Sequence, residues 1–159
     1  MRVEVTITGA DRIMHLLHNL PYEVVSRRGG PAKLALAKGA RLLRDQARSN
    51  LQAAIALGGD QSSGLLVQNV VATRGKPPAA GRGERYLVRV RRKTYPGRAG
   101  QPVTTRKTAS LLEYGSSQQT ATPWLRPAVA ARGQEIINVI TDDLLRRVER
   151  IAAGLGGGF

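Results

Sequence analysis

The chain has no cysteine and few aromatic residues: one Trp, four Tyr and one Phe among 159 residues. The first absence excludes disulfides, cysteine-based zinc sites and thiol nucleophiles. The second means that a core must be aliphatic. No apolar run nears the roughly 20 residues needed to cross a bilayer. The opening MRVEVTITGADR lacks the apolar centre of a signal peptide. Together these predict a soluble chain made in a cytoplasm, with no membrane partner. Acid is scarce too: 11 Asp+Glu stand against 25 Lys+Arg, a net charge of +14.

The excess is local. Residues 74–107 hold eleven basic side chains and one acid, Glu84; residues 27–48 hold seven and one, Asp45. Such a field attracts polyanions or acidic protein faces, and speaks to partners rather than to fold. The length fits one domain with a real core. We read it as a single domain over residues 1–153, with mobile basic loops at 74–84 and 93–107 and a flexible glycine-rich tail at 154–159.

Val3, Val5 and Ile7 alternate with polar residues and predict a half-buried strand. Asp11 is placed to cap a short helix whose apolar face is Ile13, Leu16, Leu17 and Leu20. Pro31 suits the first turn of a long helix. Its face is Leu36, Ala40, Leu43, Ala47, Leu51 and Ala54. The β-branched stretch 65–73 predicts a strand. In the next, Tyr86, Val88 and Val90 oppose Arg85, Arg89 and Arg91, giving one apolar and one basic face. Residues 108–114 predict a short strand. A long amphipathic helix runs from Pro127 to about Ala153. The order implies an α+β domain: a small, mainly antiparallel sheet packed against two long helices, plus one short N-terminal helix.

Chemistry is harder to find. His15 and His18 are three apart, but a metal site needs a third ligand, and no other histidine exists. Glu113 would need a partner to act as a general acid or base; Tyr114, Ser116, Ser117 and Arg126 are near in sequence. A hydrolase built on it would show a concave pocket and a shifted carboxyl. GRGERY at 81–86 has two glycines of a dinucleotide fingerprint but leads into a strand, where that fingerprint needs a helix. We therefore expect no cofactor, no metal and no catalytic residue. The basic set Arg82, Arg85, Arg89, Arg91, Arg92, Lys93 and Arg98 could bridge phosphates. Scarce aromatics would limit such contact to the backbone, without reference to base sequence. The same arginines could equally meet acids of a neighbouring subunit.

The stretch LLEYGSSQQTATPWLRPA, 111–128, reads as a joint. Pro123 restricts its predecessor to extended geometry. Trp124 and Leu125 form an apolar plug, and Pro127 presets the first turn of the last helix. Glu113, Tyr114, Gly115 and Arg126 complete the joint.

LLEYGS and PWLRPA also carry a resemblance. They look like the neck, or tail-completion, proteins of long-tailed bacteriophages, the group of minor tail protein Z. In that family a strand ends in Glu, aromatic, Gly and Ser/Thr. A loop follows, then Pro, aromatic, Leu, Arg, Pro, Ala opens the C-terminal helix. Three weaker features agree in order: Gly9 and Asp11 at a helix start, Ala47 and Arg48 closing an alanine-rich helix, and Ser63-Gly64-Leu65 before a strand. Trp124 stands where phenylalanine is commoner, the 93–107 loop is long, and Thr108-Ala109 replaces the expected Tyr-Ala.

The resemblance implies a structural virion protein at the head–tail junction, present in the host cytoplasm during assembly. It would form a ring with copies of itself, a hexamer or other cyclic oligomer. It would sit beside tail-terminator and head-closure or connector proteins around the DNA channel. It implies no catalysis and no cofactor. The basic residues would then approach genomic DNA or grip adjacent rings. The competing reading is a free, non-specific nucleic-acid-binding protein.

Overall fold

The computed structural model describes residues 30–58, 63–76, 83–97 and 99–156. The expected strand at Val3–Ile7, the short helix with His15 and His18, Arg82, Arg98 and residues 157–159 lie outside them.

Helix α1 spans Pro31–Leu57 and opens on its proline. In its second half Ala47, Leu51 and Ala54 are buried, as their spacing predicts. In the first half the buried face turns to Ala32, Ala35 and Gly39, leaving Leu36 and Ala40 half-buried. Residues 65–73 are not one strand. Leu65–Gln68 form a single helical turn, α2, after Gly64 at φ 75°. Leu66 and Val67 are adjacent and both buried, which an alternating strand does not achieve on one face. Asn69 closes the turn by donating from Nδ2 to the Leu65 carbonyl at 2.8 Å.

Strand β1, Val70–Arg74, pairs antiparallel with β2, Tyr86–Val90. Here the predicted period of two holds: Tyr86, Val88 and Val90 are half-buried while Arg85, Leu87 and Arg89 are exposed. Val71 opposes Arg89 and Thr73 opposes Leu87 on the outer side. The loop between these strands is tied at its base by Arg74, whose Nε donates to Glu84 Oε2 at 2.8 Å.

The expected basic loop at 93–107 is instead a hairpin that runs into a helix. Strands β3, Thr94–Pro96, and β4, Pro102–Thr104, pair antiparallel. Their turn is closed by Gly97 and Gln101, with Gly100 at φ 73°. Helix α3, Thr105–Tyr114, replaces the strand expected at 108–114. Its cap is Thr104, extended and accepting from the Lys107 N–H through Oγ1 at 3.3 Å. Its buried positions are Thr105, Ala109 and Glu113, at helical spacing. Two of the three are polar, so hydrophobic periodicity does not reveal the face. Helix α4, Leu125–Gly156, starts two residues before Pro127 and runs past Ala153.

The architecture is α+β, with the β part of the described residues divided into two antiparallel pairs. Helices α1 and α4 are antiparallel: Lys38 meets Asp143, Gln46 meets Arg132, and Asn50 meets Trp124. One core joins Ala47, Leu51, Val70, Ala109 and Trp124; another joins Ala32, Ala35, Ile136, Ile140 and Leu144. Leu43 packs against both. At Gly39 the helices pack so tightly that an added Cβ would stand 2.5 Å from Ile140 Cδ1. Gly39→Leu is therefore expected to cost about 1–3 kcal/mol by overpacking, and Ile140→Ala in the same chain to recover part of it. Urea unfolding of the single and double variants measures both effects.

Candidate functional site

Helix α4 begins at Leu125, so the orphan N–H groups at its start belong to Trp124, Leu125 and Arg126, with Pro127 supplying none. One side chain takes all three. Glu113 Oε2 accepts from the Trp124 and Leu125 N–H groups, both at 2.8 Å. Its Oε1 accepts from the Arg126 N–H at 3.1 Å and from Arg126 Nε at 2.8 Å. Arg126 Nη2 donates to the Glu113 carbonyl at 2.7 Å, making the clamp two-sided. A carboxylate here also complements the positive end of the α4 dipole.

The remaining residues of the joint hold this clamp. Trp124 is 3% exposed, and its Nε1 donates to the Ala109 carbonyl at 3.1 Å. Asn50 of α1 donates to the Trp124 carbonyl at 3.1 Å. Leu125 packs against the same core. Gly115 has φ 75°, and an added Cβ would stand 2.8 Å from the Gln119 carbonyl oxygen, so both backbone and space demand glycine. Ser116 and Gln119 close the turn that follows. Tyr114 is exposed, with the Arg126 guanidinium 5.1 Å from its ring centroid. Pro123 and Pro127 are exposed.

Glu113 thus lies in the last turn of α3, where a strand is expected from the sequence, and from there caps the start of α4. Burial by itself would push its carboxyl up, but the N–H groups of Leu125 and Trp124 and the Arg126 side chain outweigh it and hold the carboxyl below its ordinary value. A general acid or base at neutral pH needs the opposite shift. A cleft of about 420 Å³ opens between α1, α2, β3, β4 and α3, lined by Ile55, Leu66, Tyr95, Val103 and Leu112 among others. Glu113 is not part of that lining, which has no charged side chain. Among the described residues, no three His, Asp or Glu side chains gather as a metal site would require.

The basic residues form a second candidate site. Arg85, Arg89, Arg91, Arg92 and Lys93 are all exposed. Among the described residues none of them has an acidic partner, whereas Arg74 has Glu84 and Arg126 has Glu113. Arg48 is engaged elsewhere: it donates to the carbonyls of Val70 and Gln68 at 3.0 and 3.1 Å, fastening β1 to α1. The fold adds two cations that hydrophobic and charge patterning did not single out. Thr105 is fully buried; its Oγ1 donates to the Arg91 carbonyl at 2.6 Å and accepts from the Lys93 N–H at 2.9 Å. That bolts the first turn of α3 to residues 91–93 and sets Arg106 and Lys107 beside them. Arg106 Nε reaches the Val90 carbonyl at 3.1 Å. Recognising the Thr104 cap would have revealed this grouping.

Comparison with family models, curated proteins and solved structures finds no match to this chain.

Removing the clamp tests its weight. Glu113→Ala is expected to cost about 2–4 kcal/mol, because it leaves the Trp124, Leu125 and Arg126 N–H groups without their acceptor, and Trp124→Ala about 3–5 kcal/mol. Because the folded carboxyl lies below its unfolded value, its contribution is full above the ordinary glutamate range, about pH 4.3, and fades as pH falls through the folded value. Urea unfolding from neutral to acidic pH should show that decline, and Glu113→Gln should flatten it.

Proposed function

We propose that the chain is a structural subunit of a tailed phage. In this reading it is a ring-forming neck or tail-completion protein that joins the DNA-filled head to the tail. The observation that carries the reading is the joint. The two segments that resemble the neck family, LLEYGS and PWLRPA, are separated in sequence but make one interlocked unit through Glu113, Trp124 and Arg126. Their side chains serve to fix a helix start, which is what a scaffold motif requires. Both oxygens of the Glu113 carboxylate are occupied by the clamp, leaving no free base. No helix among the described residues is long and apolar enough to cross a membrane.

A cyclic ring uses head-to-tail contacts, so each subunit shows two different faces to its neighbours. The partners in this reading are copies of the chain, the tail-terminator protein and the head-closure or connector protein. The protein would reside in the virion after assembly in the host cytoplasm. The second reading, a free non-specific nucleic-acid-binding protein, is favoured by one observation, the exposed cations without acidic partners.

Electron microscopy of phage lysates with this gene disrupted decides between them. The expected result is filled heads and separate, finished-length tails side by side. Intact, infectious particles would remove the protein from the junction and favour the second reading.

A further inference from the structure

Six cations lie on two chain segments that Thr105 and Arg106 join by hydrogen bonds to residues 90–93. They are Arg89 on β2, Arg91, Arg92 and Lys93 in the link to β3, and Arg106 and Lys107 in the first turn of α3. All six are exposed, and no acidic side chain among the described residues pairs with them. This grouping opposes stability in two ways. Like charges are gathered without compensation. Two of them also sit at the positive end of a helix, where acids are favoured and cations are not; the first turn of α3 holds no acid. A local rule broken this way points to a functional surface, since Thr105, Glu113 and Asp143, the buried polar residues of the described fold, all have partners.

We infer that this surface binds the phosphate backbone of duplex nucleic acid without reading its sequence. Four of the six are arginines, whose planar guanidinium matches phosphate in a bidentate way. Single strands are held by exposed aromatic platforms, and here both nearby tyrosines are withdrawn. Tyr86 is half-buried on the inner face of β2, and the Tyr95 hydroxyl bonds to Thr108. An acidic protein partner would call for a central apolar or aromatic anchor. Leu87 is the only large exposed apolar residue on β2, and the others, Leu34, Leu57, Tyr114 and Ile151, lie on the helices α1, α3 and α4. The surface belongs at the DNA channel only if the neck reading holds, but the binding itself does not depend on that reading.

The test uses the purified full chain and a random-sequence DNA duplex across a salt series. Removing one cation that neutralises a phosphate takes about 0.9 from the slope of log K against log salt. The triple variant Arg89→Gln, Arg92→Gln, Lys107→Gln should therefore flatten the slope by about 2 to 3. None of these side chains makes a hydrogen bond within the described fold, so the variant should melt as the parent does or higher. The control, Lys33→Gln, Arg41→Gln, Arg150→Gln, removes the same charge from α1 and α4 and should change the slope by less than about 1. Equal flattening in both would overturn the proposal in favour of a diffuse field. Single-stranded DNA competing as well as duplex would overturn the duplex assignment. Displacement of duplex by polyglutamate at matched charge would point to an acidic protein instead. Intact virions in disrupted lysates would end the neck reading and leave this result standing; a triple variant that binds duplex normally would do the reverse.

Discussion

The Glu113 carboxylate satisfies the N–H groups at the start of α4, and the way α3, α4 and α1 meet depends on it. A 32-residue helix with its first N–H groups buried and unpaired could not dock where α4 docks. Burying an isolated carboxylate would be equally unfavourable. The two problems cancel because they are solved against each other: three N–H groups and one guanidinium meet two oxygens. The arrangement works only if α3 ends where α4 begins. This in turn requires the tight reversal at Gly115 and a large apolar group to fill the angle, which Trp124 supplies.

Thr105 and Asp143 extend the same logic. With Glu113 they are the buried polar or charged residues of the described fold, and each lies at a seam between elements distant in sequence. Thr105 joins the start of α3 to the exit of β2. Asp143 accepts from Lys38 of α1 at 3.2 Å and from Arg147 of its own helix at 2.5 Å. Arg147 beside it, with Lys38, holds its carboxyl below the ordinary aspartate range in spite of burial. Apolar packing holds the α1 and α4 layers together but is tolerant of sliding. These three groups supply the directional contacts that set register, end to end, along a fold in which the buried residues of α1 are largely alanine.

What could be read from the sequence divides along the same line. The long helices and β2 were legible because aliphatic residues mark their buried faces at periods near 3.6 and 2. The α+β class followed from their order. Helix α3 was not legible: its buried face is Thr105, Ala109 and Glu113, so a search for hydrophobic spacing sees none. The hairpin β3–β4 was hidden by its charge and its glycines, which read as loop until the Gly97–Gln101 pairing is seen. Leu65–Gln68 misled for the opposite reason, since β-branched and leucine-rich stretches fit a strand and a buried helical turn equally well. At the joint, the size of Trp124 and the fixed φ of Pro127 were enough to place one in the core and the other in the first turn of α4. The central interaction there was missed because a carboxylate twelve residues before the first residue of a helix carries no local cap signature.

The charge of the chain is distributed with respect to this frame, not at random over it. Where a cation has a structural task, it has a partner: Arg126 with Glu113, Arg147 and Lys38 with Asp143, Arg74 with Glu84, Arg48 with two carbonyls. The cations from Arg89 to Lys93, with Lys107, have none among the described residues. Folding would proceed as well, or better, with neutral residues at those positions, because nothing in the cores or seams uses their charge. Selection for stability alone would not gather them, and the Thr105 bolt that brings two chain segments together holds them close in spite of their repulsion. In the free chain water and counter-ions screen them. In the inferred complex the regular, high charge density of a nucleic-acid backbone would match them more completely than the scattered carboxylates of a protein surface.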